Sequence, residues 1–240
     1  MSFPVRFLYF ANMLLSIIVP LYNEETTAGL ILEKLFRADF GSVRKEIIAV
    51  NDGSTDGTRA VLESYKDRLL CISHEKNRGK GAAVRTGLTR ASGALVIVQD
   101  GDLEYDPAEI SKLLEAFERD AAVDAVFGSR NLAPTGRGYS HYVLGAWVLT
   151  ACVNVLFRTH LTDVYTCYKL VRLDVLRSLG LYSRGFEMEM ELTAKLLKRE
   201  ARIKEVPISY SPRSFREGKK IRAFDGIKGI STLLRVLLFG

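Results

Sequence analysis

Asp100 and Asp102, one residue apart in Val98-Gln99-Asp100-Gly101-Asp102-Leu103-Glu104, are the pair of acids in this chain best placed to grip one hard cation. Mg²⁺ or Mn²⁺ takes oxygen ligands and keeps positions open for substrate phosphates. Such an ion neutralises a diphosphate leaving group as its bond breaks. Gly101 is expected to let the backbone turn tightly between the acids. The plain alternative is an acidic loop capping the helix that opens at Asp106-Pro107. The position of the acids after a buried strand, among other polar strand ends, favours the cation.

Four further clusters carry chemical potential. In Asn51-Asp52-Gly53-Ser54-Thr55-Asp56, Asp52 can accept hydrogen bonds from a base or ribose. Asp56 has a competing role as the cap of a helix beginning at Thr58, and the glycines mark turns. Asn77-Arg78-Gly79-Lys80-Gly81 reads as a loop entering a helix N-terminus, where backbone N–H groups favour anions; its spacing is not that of a Walker A loop. Arg213, Arg216, Lys219, Lys220 and Arg222 make a basic loop able to clamp a diphosphate, and equally a solvated charge run or a patch for acidic lipid. In Phe186-Glu187-Met188-Glu189-Met190-Glu191, acids at every second residue cannot share one helix face. An extended entry aiming Glu189 or Glu191 into the site is expected, against the simpler reading of a charged helix start.

The elements that position these clusters follow from pattern. Leu14–Pro20, Glu46–Val50, Leu69–Ser73, Ala94–Val98, Val123–Phe127, Tyr168–Arg172 and Arg202–Tyr210 read as strands. Helices are predicted over Glu24–Ala38 with Asn23 as cap, Thr58–Asp67, Gly79–Ala91, Asp106–Arg119, Val143–Phe157, Glu187–Arg199 and Gly226–Leu238. Strand–helix alternation at this pace implies an α/β fold with a mostly parallel central sheet flanked by helices, and ligands at the carboxyl ends of the strands. Residues 1–13 read as an N-terminal extension, 14–225 as the catalytic domain, and 226–240 as an apolar-rich terminal helix.

Composition narrows the partners. The 240 residues carry a net charge of +6, which suits phosphates or anionic lipid. The basic residues cluster in one late loop without a recognition motif, so nucleic acid is not expected. Three cysteines at wide spacing, with no CxxC pair, give neither a disulfide framework nor a zinc site. The apolar run 142–157 is shorter than the roughly 18–20 residues of a spanning helix. It is either a core helix or, together with Ile227–Phe239, an apolar shelf that touches a bilayer.

Eight segments taken together resemble glycosyltransferase family 2, the inverting GT-A enzymes, and most of all its dolichyl-phosphate mannose synthase branch. They are IIVPLYNEE (17–25), NDGSTDGT (51–58), NRGKGAAVRTG (77–87), VQDGDLEYDP (98–107), FGSR (127–130), DVYTCYK (163–169), FEMEMELTAKL (186–196) and ISYSPRSFREGKKI (208–221). The resemblance implies a GT-A fold and transfer of a hexose, mannose first, from a nucleotide-sugar to a polyprenyl or dolichyl phosphate. GDP-mannose, UDP-glucose and UDP-N-acetylglucosamine are the candidate donors. It implies that Pro20, Tyr22, Glu24 and Asp52 line the nucleoside pocket, and that Lys80 serves the donor. Asp100, Asp102 and Glu104 would hold Mg²⁺ or Mn²⁺. Arg130 would meet the acceptor phosphate, with Arg137 and His141 standing in for an Arg and Ser that many mannose synthases carry there. Arg213, Lys219 and Lys220 would close over the diphosphate, and Glu189 and Glu191 sit where the family places site carboxylates. The implied location is peripheral, on the cytoplasmic face of a membrane. Some relatives carry C-terminal transmembrane helices, and none is read here. A hydroxyl acceptor, or a non-catalytic nucleotide-sugar module on the same fold, are the competing functions.

Overall fold

The computed structural model describes residues 13–120, 122–133, 140–213 and 223–239. Its centre is β1 (Leu14–Leu21), a run of apolar and β-branched residues buried on both faces. It pairs in parallel with β2 (Arg44–Asn51) on one side and β4 (Leu95–Val98) on the other, placing Ile17 opposite both Ile47 and Ile97. Parallel β3 (Leu70–Ser73) forms one edge beside β2. Beyond β4 lies β6 (Lys169–Arg172), antiparallel to both β4 and β5 (Ala125–Ser129), and β7 (Ile203–Pro207) runs parallel to β5. The order is β3-β2-β1-β4-β6-β5-β7, mostly parallel as expected.

Helices α1 (Ala28–Arg37), α2 (Thr58–Glu63) and α3 (Lys80–Leu88) are the crossovers between the parallel strands. Gly87 lets α3 lie close on β1, because a Cβ there would sit 2.5 Å from Ile18 Cγ2. A 3-10 turn (Pro107–Glu109) leads into α4 (Ile110–Arg119), and Asp106 caps it by accepting the Ala108 N–H at 3.1 Å. The remaining helices are α5 (Ser140–Phe157), α6 (Leu173–Ser178), α7 (Met188–Lys198) and α8 (Ala223–Phe239). The short α6 carries no signal that distinguishes it from a loop in the sequence.

Three local expectations are corrected. α1 starts at Ala28 and not at Glu24. Asn23 does not cap it: Asn23 sits at φ 49° and its Oδ1 accepts the Thr55 N–H at 2.8 Å. Residues 23–27 form a separate turn, tied to the β2 loop by Asn23 N–H to Ser54 Oγ and Glu24 N–H to Thr58 Oγ1. α7 begins at Met188, so there is no extended stretch through Glu189 and Glu191. Met13, expected in the extension, is buried and its carbonyl accepts the Arg44 N–H, while residues 1–12 lie outside the described ones.

α5 is a core helix on one side and carries exposed apolar residues on the other. Leu149 and Val153 are buried in the core, while Trp147 is 64% and Val155 78% exposed. α8 packs on α7 and α5 through Leu233 and Val236 and exposes Ile227, Leu234, Leu238 and Phe239. No helix among the described residues is long and apolar enough to cross a membrane.

Candidate active site

The carboxyl ends of β1, β2 and β4 open into a cleft of about 370 Å³, lined also by the start of α7 and by the segment after β7. Parallel strands aim their loops to one edge, so the chemistry-bearing clusters converge there. Pro20, Tyr22, Glu24 and Asp52 all line the cleft, as does Asn77 from the loop before α3.

Asp52 is buried, and its carboxylate is already anchored. Oδ1 accepts the Arg78 N–H at 2.9 Å and lies 2.7 Å from His74 Nδ1; Oδ2 accepts the Gly79 N–H at 2.7 Å. It therefore shapes the loop before α3 as well as facing the cleft. Gly79 is required in that loop: its φ is +94° and a Cβ would fall 2.3 Å from the Arg184 carbonyl oxygen. Asp56 performs turn chemistry, accepting the Thr58 N–H at 3.0 Å and the Glu25 N–H at 3.1 Å.

The acid pair sits at the end of β4, each member beside a cation. Lys80 Nζ, on the first residue of α3, lies 2.7 Å from Asp100. Arg213 lies 3.2 Å from Asp102 and also spans to Glu24 at 3.1 Å. The left-handed backbone falls on Leu103 (φ 63°) and not on Gly101. Gly101 is small for another reason: its Cβ would sit 2.3 Å from Leu21 Cδ2. Burial first, then the like charges of Asp100 and Glu104, push the Asp102 carboxyl up to about 7, against the pull of Arg213.

Glu104, expected as a third ligand, is turned elsewhere. One oxygen accepts the Tyr210 hydroxyl at 2.5 Å and the other the Arg213 backbone N–H at 2.8 Å. Among the described residues no three acid, histidine or cysteine side chains are gathered to hold an ion. Asp100 and Asp102 nevertheless fit a divalent cation: they offer hard oxygens, they repel each other in a buried place, and their present partners are side chains able to turn to an anionic ligand.

Glu189, in the first turn of α7, also lines the cleft. It lies 2.8 Å from Lys169 Nζ and 3.3 Å from Lys80 Nζ, and its Oε1 makes no hydrogen bond. Burial works against the Lys80 ammonium, but Asp100 foremost and Glu189 besides hold its pKa well above the usual lysine value. Glu191 is not in the cleft. Two residues apart on a helix means roughly 200° of rotation. Glu191 is fully buried on the other side, accepting the Tyr182 and Ser183 N–H groups at 2.9 and 2.7 Å and pairing with Lys195 at 2.7 Å. Its expected place among the site carboxylates is thus corrected to that of a loop anchor.

Arg130 lines the cleft at the end of β5. Its Nε and one terminal nitrogen donate to the two oxygens of Asp163 at 2.7 and 2.8 Å, and its guanidinium lies 5.0 Å from the Tyr210 ring centroid. Burial would raise the Asp163 carboxyl, yet the Arg130 guanidinium outweighs it and holds the pKa below the ordinary value. Arg137, Lys219 and Lys220 lie outside the described residues, and for His141 only the helical backbone of α5 is described.

Asp163, Lys169, His74 and Tyr105 were not singled out from sequence. Asp163 and Lys169 stand in the segment 163–169 but carry no spacing that marks them as partners of Arg130 and Glu189. Tyr105 stacks on Tyr168 at 4.7 Å and donates no role to the sequence pattern; its hydroxyl accepts the Cys167 N–H.

An open, mostly parallel sheet with an acid pair at a strand end, backed by buried cations, defines a GT-A glycosyltransferase. The model of the family "Glycosyl transferase family 2" matches residues 16–180, and the chain belongs to that family. Among its relatives are the undecaprenyl-phosphate mannosyltransferase of Micrococcus luteus, 29% identical over 84% of this chain and 85% of the relative. The dodecaprenyl-phosphate galacturonate synthase of Rhizobium johnstonii is 27% identical over 93% of this chain, which spans 64% of that protein's length. In three dimensions the chain resembles glucosyl-3-phosphoglycerate synthase from Mycobacterium tuberculosis in complex with UDP, with a TM-score of 0.75 at 20% identity, covering 99% of this chain and 84% of the other. The same enzyme with Mn²⁺, UDP and its product gives a TM-score of 0.74, 21% identity and coverage of 99% and 84%. These likenesses show the fold.

Proposed function

We propose that this glycosyltransferase moves a hexose, mannose first, from a nucleotide-sugar to a polyprenyl phosphate, with inversion at the anomeric carbon. The observation that carries the acceptor assignment is Arg130. It is a cleft-lining cation fixed by Asp163 on two of its nitrogens, with donors left over for a phosphate. The undecaprenyl-phosphate mannosyltransferase of Micrococcus luteus and the dodecaprenyl-phosphate galacturonate synthase of Rhizobium johnstonii support the same acceptor class.

In this reading a phosphate oxygen of the acceptor attacks the anomeric carbon while the bond to the diphosphate breaks. A phosphate is already deprotonated at neutral pH, so no general base is needed. Arg130 orients the acceptor; Lys80 and Arg213 stabilise the diphosphate charge; Pro20, Tyr22, Glu24 and Asp52 wall the nucleoside. Asp100 and Asp102 would hold Mg²⁺ or Mn²⁺, which when bound neutralises the leaving group. Lys219 and Lys220 would join Arg213 in covering it. The similar glucosyl-3-phosphoglycerate synthase structures in complex with Mg²⁺ or Mn²⁺ and UDP support divalent metal use.

The exposed apolar residues of α5 and α8 support a peripheral place on a membrane, and the cytoplasmic face is part of the same proposal. α5 also reaches the cleft through Ala146, next to exposed Trp147, so the apolar surface begins at the site itself. The hydroxyl-acceptor reading rests on Glu189, whose buried Oε1 accepts no hydrogen bond and faces the Lys80 ammonium at 3.3 Å. Two ammonium groups already engage that carboxylate, which suits charge balance better than proton removal.

The deciding assay measures nucleotide release from GDP-mannose, UDP-glucose and UDP-N-acetylglucosamine with Mg²⁺ or Mn²⁺, with and without a short polyprenyl phosphate. Release from one donor that requires the lipid phosphate supports the proposal. Release that ignores the lipid, or that appears only with a hydroxyl acceptor, rejects the acceptor assignment.

A further inference from the structure

We propose that His74, which does not line the cleft, is a positioning residue for the nucleotide-sugar site; the proposal rests on the donor reading above. His74 follows β3, and its backbone N–H continues the strand pairing by donating to the Asn51 carbonyl at 2.9 Å. Its side chain is buried, and both ring nitrogens are engaged: Nδ1 lies 2.7 Å from Asp52 Oδ1, and Nε2 2.9 Å from Thr86 Oγ1. An ionised carboxylate only accepts, so Nδ1 carries the proton toward Asp52 and the ring is fixed in orientation.

This pair joins three elements. Asp52 directly follows β2, His74 directly follows β3, and Thr86 lies in the last turn of α3. Asp52 in turn takes the Arg78 and Gly79 N–H groups, immediately before α3. The imidazole therefore ties the carboxylate that holds the start of α3 to a hydroxyl near its end. Lys80, the first residue of that helix, is the cation beside Asp100 and Glu189. Loss of the Nδ1 donor leaves the Asp52 carboxylate held by the Arg78 and Gly79 N–H groups alone and loosens the turn that sets Lys80. The nucleoside wall and the diphosphate cation would loosen together, although His74 touches neither ligand.

The test compares His74→Asn with His74→Gln in the full chain. The asparagine amide nitrogen replaces Nδ1 and keeps the donor to Asp52; the glutamine amide reaches the Nε2 position and keeps only the Thr86 contact. Binding of GDP and of UDP, each with Mg²⁺, is measured by calorimetry, alongside thermal melting. H74N is expected to bind more tightly than H74Q by about 10- to 100-fold, the range expected for one hydrogen bond to a charged group. A merely structural histidine would give the two variants equal affinity whatever their melting temperatures, and that result overturns the proposal. A wild-type chain that binds neither nucleotide overturns the donor reading and this inference with it. Wild-type binding with equal variants overturns the inference alone.

Discussion

Arg130 and Asp163 form a bidentate pair at the rim of the cleft, with N–O distances of 2.7 and 2.8 Å, and the Arg130 backbone N–H adds a third bond to the same carboxylate at 3.1 Å. The carboxylate is almost wholly buried while the guanidinium keeps some exposure. In the proposed function Asp163 is the mount and Arg130 the group that meets the acceptor. Glu205 completes the mount by accepting the Thr162 and Asp163 N–H groups.

The Asp163→Asn substitution keeps the shape but removes one charge-assisted bond and leaves Arg130 free to swing. Steady-state kinetics should show a rise of about tenfold or more in KM for the lipid phosphate, with a smaller change for the donor. A larger rise for the donor than for the lipid phosphate would show that Arg130 serves the donor instead.

The same pair sets part of the acid stability. The folded pKa of Asp163 lies below its unfolded value, so it contributes stability above the unfolded pKa of about 4, lost as pH falls through the folded value. Thermal melting of the wild type should therefore steepen its fall below about pH 4. D163N, which cannot titrate, should show a lower melting temperature at neutral pH and a shallower acid limb. Parallel curves for the two proteins would remove Asp163 from this role.

Glu189 and Glu191 should separate cleanly. Glu191→Gln breaks a buried pair with Lys195 and weakens the anchor of residues 182–183, costing about 3 kcal/mol of stability. Glu189→Gln unbalances Lys80 and Lys169 and should lower turnover by tenfold or more. Circular dichroism melts and turnover on one preparation of each variant check both statements. Loss of activity in well-folded E191Q would return Glu191 to the site.

The apolar face of α5 and α8 should bind lipid. Co-sedimentation with vesicles of anionic phospholipid is expected for the wild type at low salt. The double variant Trp147→Ser, Leu234→Ser should lose most of that binding while still melting cooperatively. Wild-type protein that stays in the supernatant would refute the membrane shelf.

Strand and helix alternation, the order of the polar clusters, and the acid pair were legible in the sequence, because each rests on local pattern: apolar runs for buried strands, and turn residues at their ends. Boundaries shifted where side chains from distant loops took over. Asn23 looks like a cap until Thr55 claims its oxygen, and Glu189 and Glu191 look equivalent until helix rotation sends one to the cleft and the other to Tyr182 and Ser183. The partners Asp163, Lys169 and His74 were illegible because a hydrogen bond across 33, 20 or 22 residues leaves no spacing signal. The sequence by itself determined the parallel α/β frame, the family and the residue types available for phosphate chemistry. Only the tertiary structure decided which carboxylate faces which cation, since that depends on packing between loops that meet solely when the sheet brings its strand ends together.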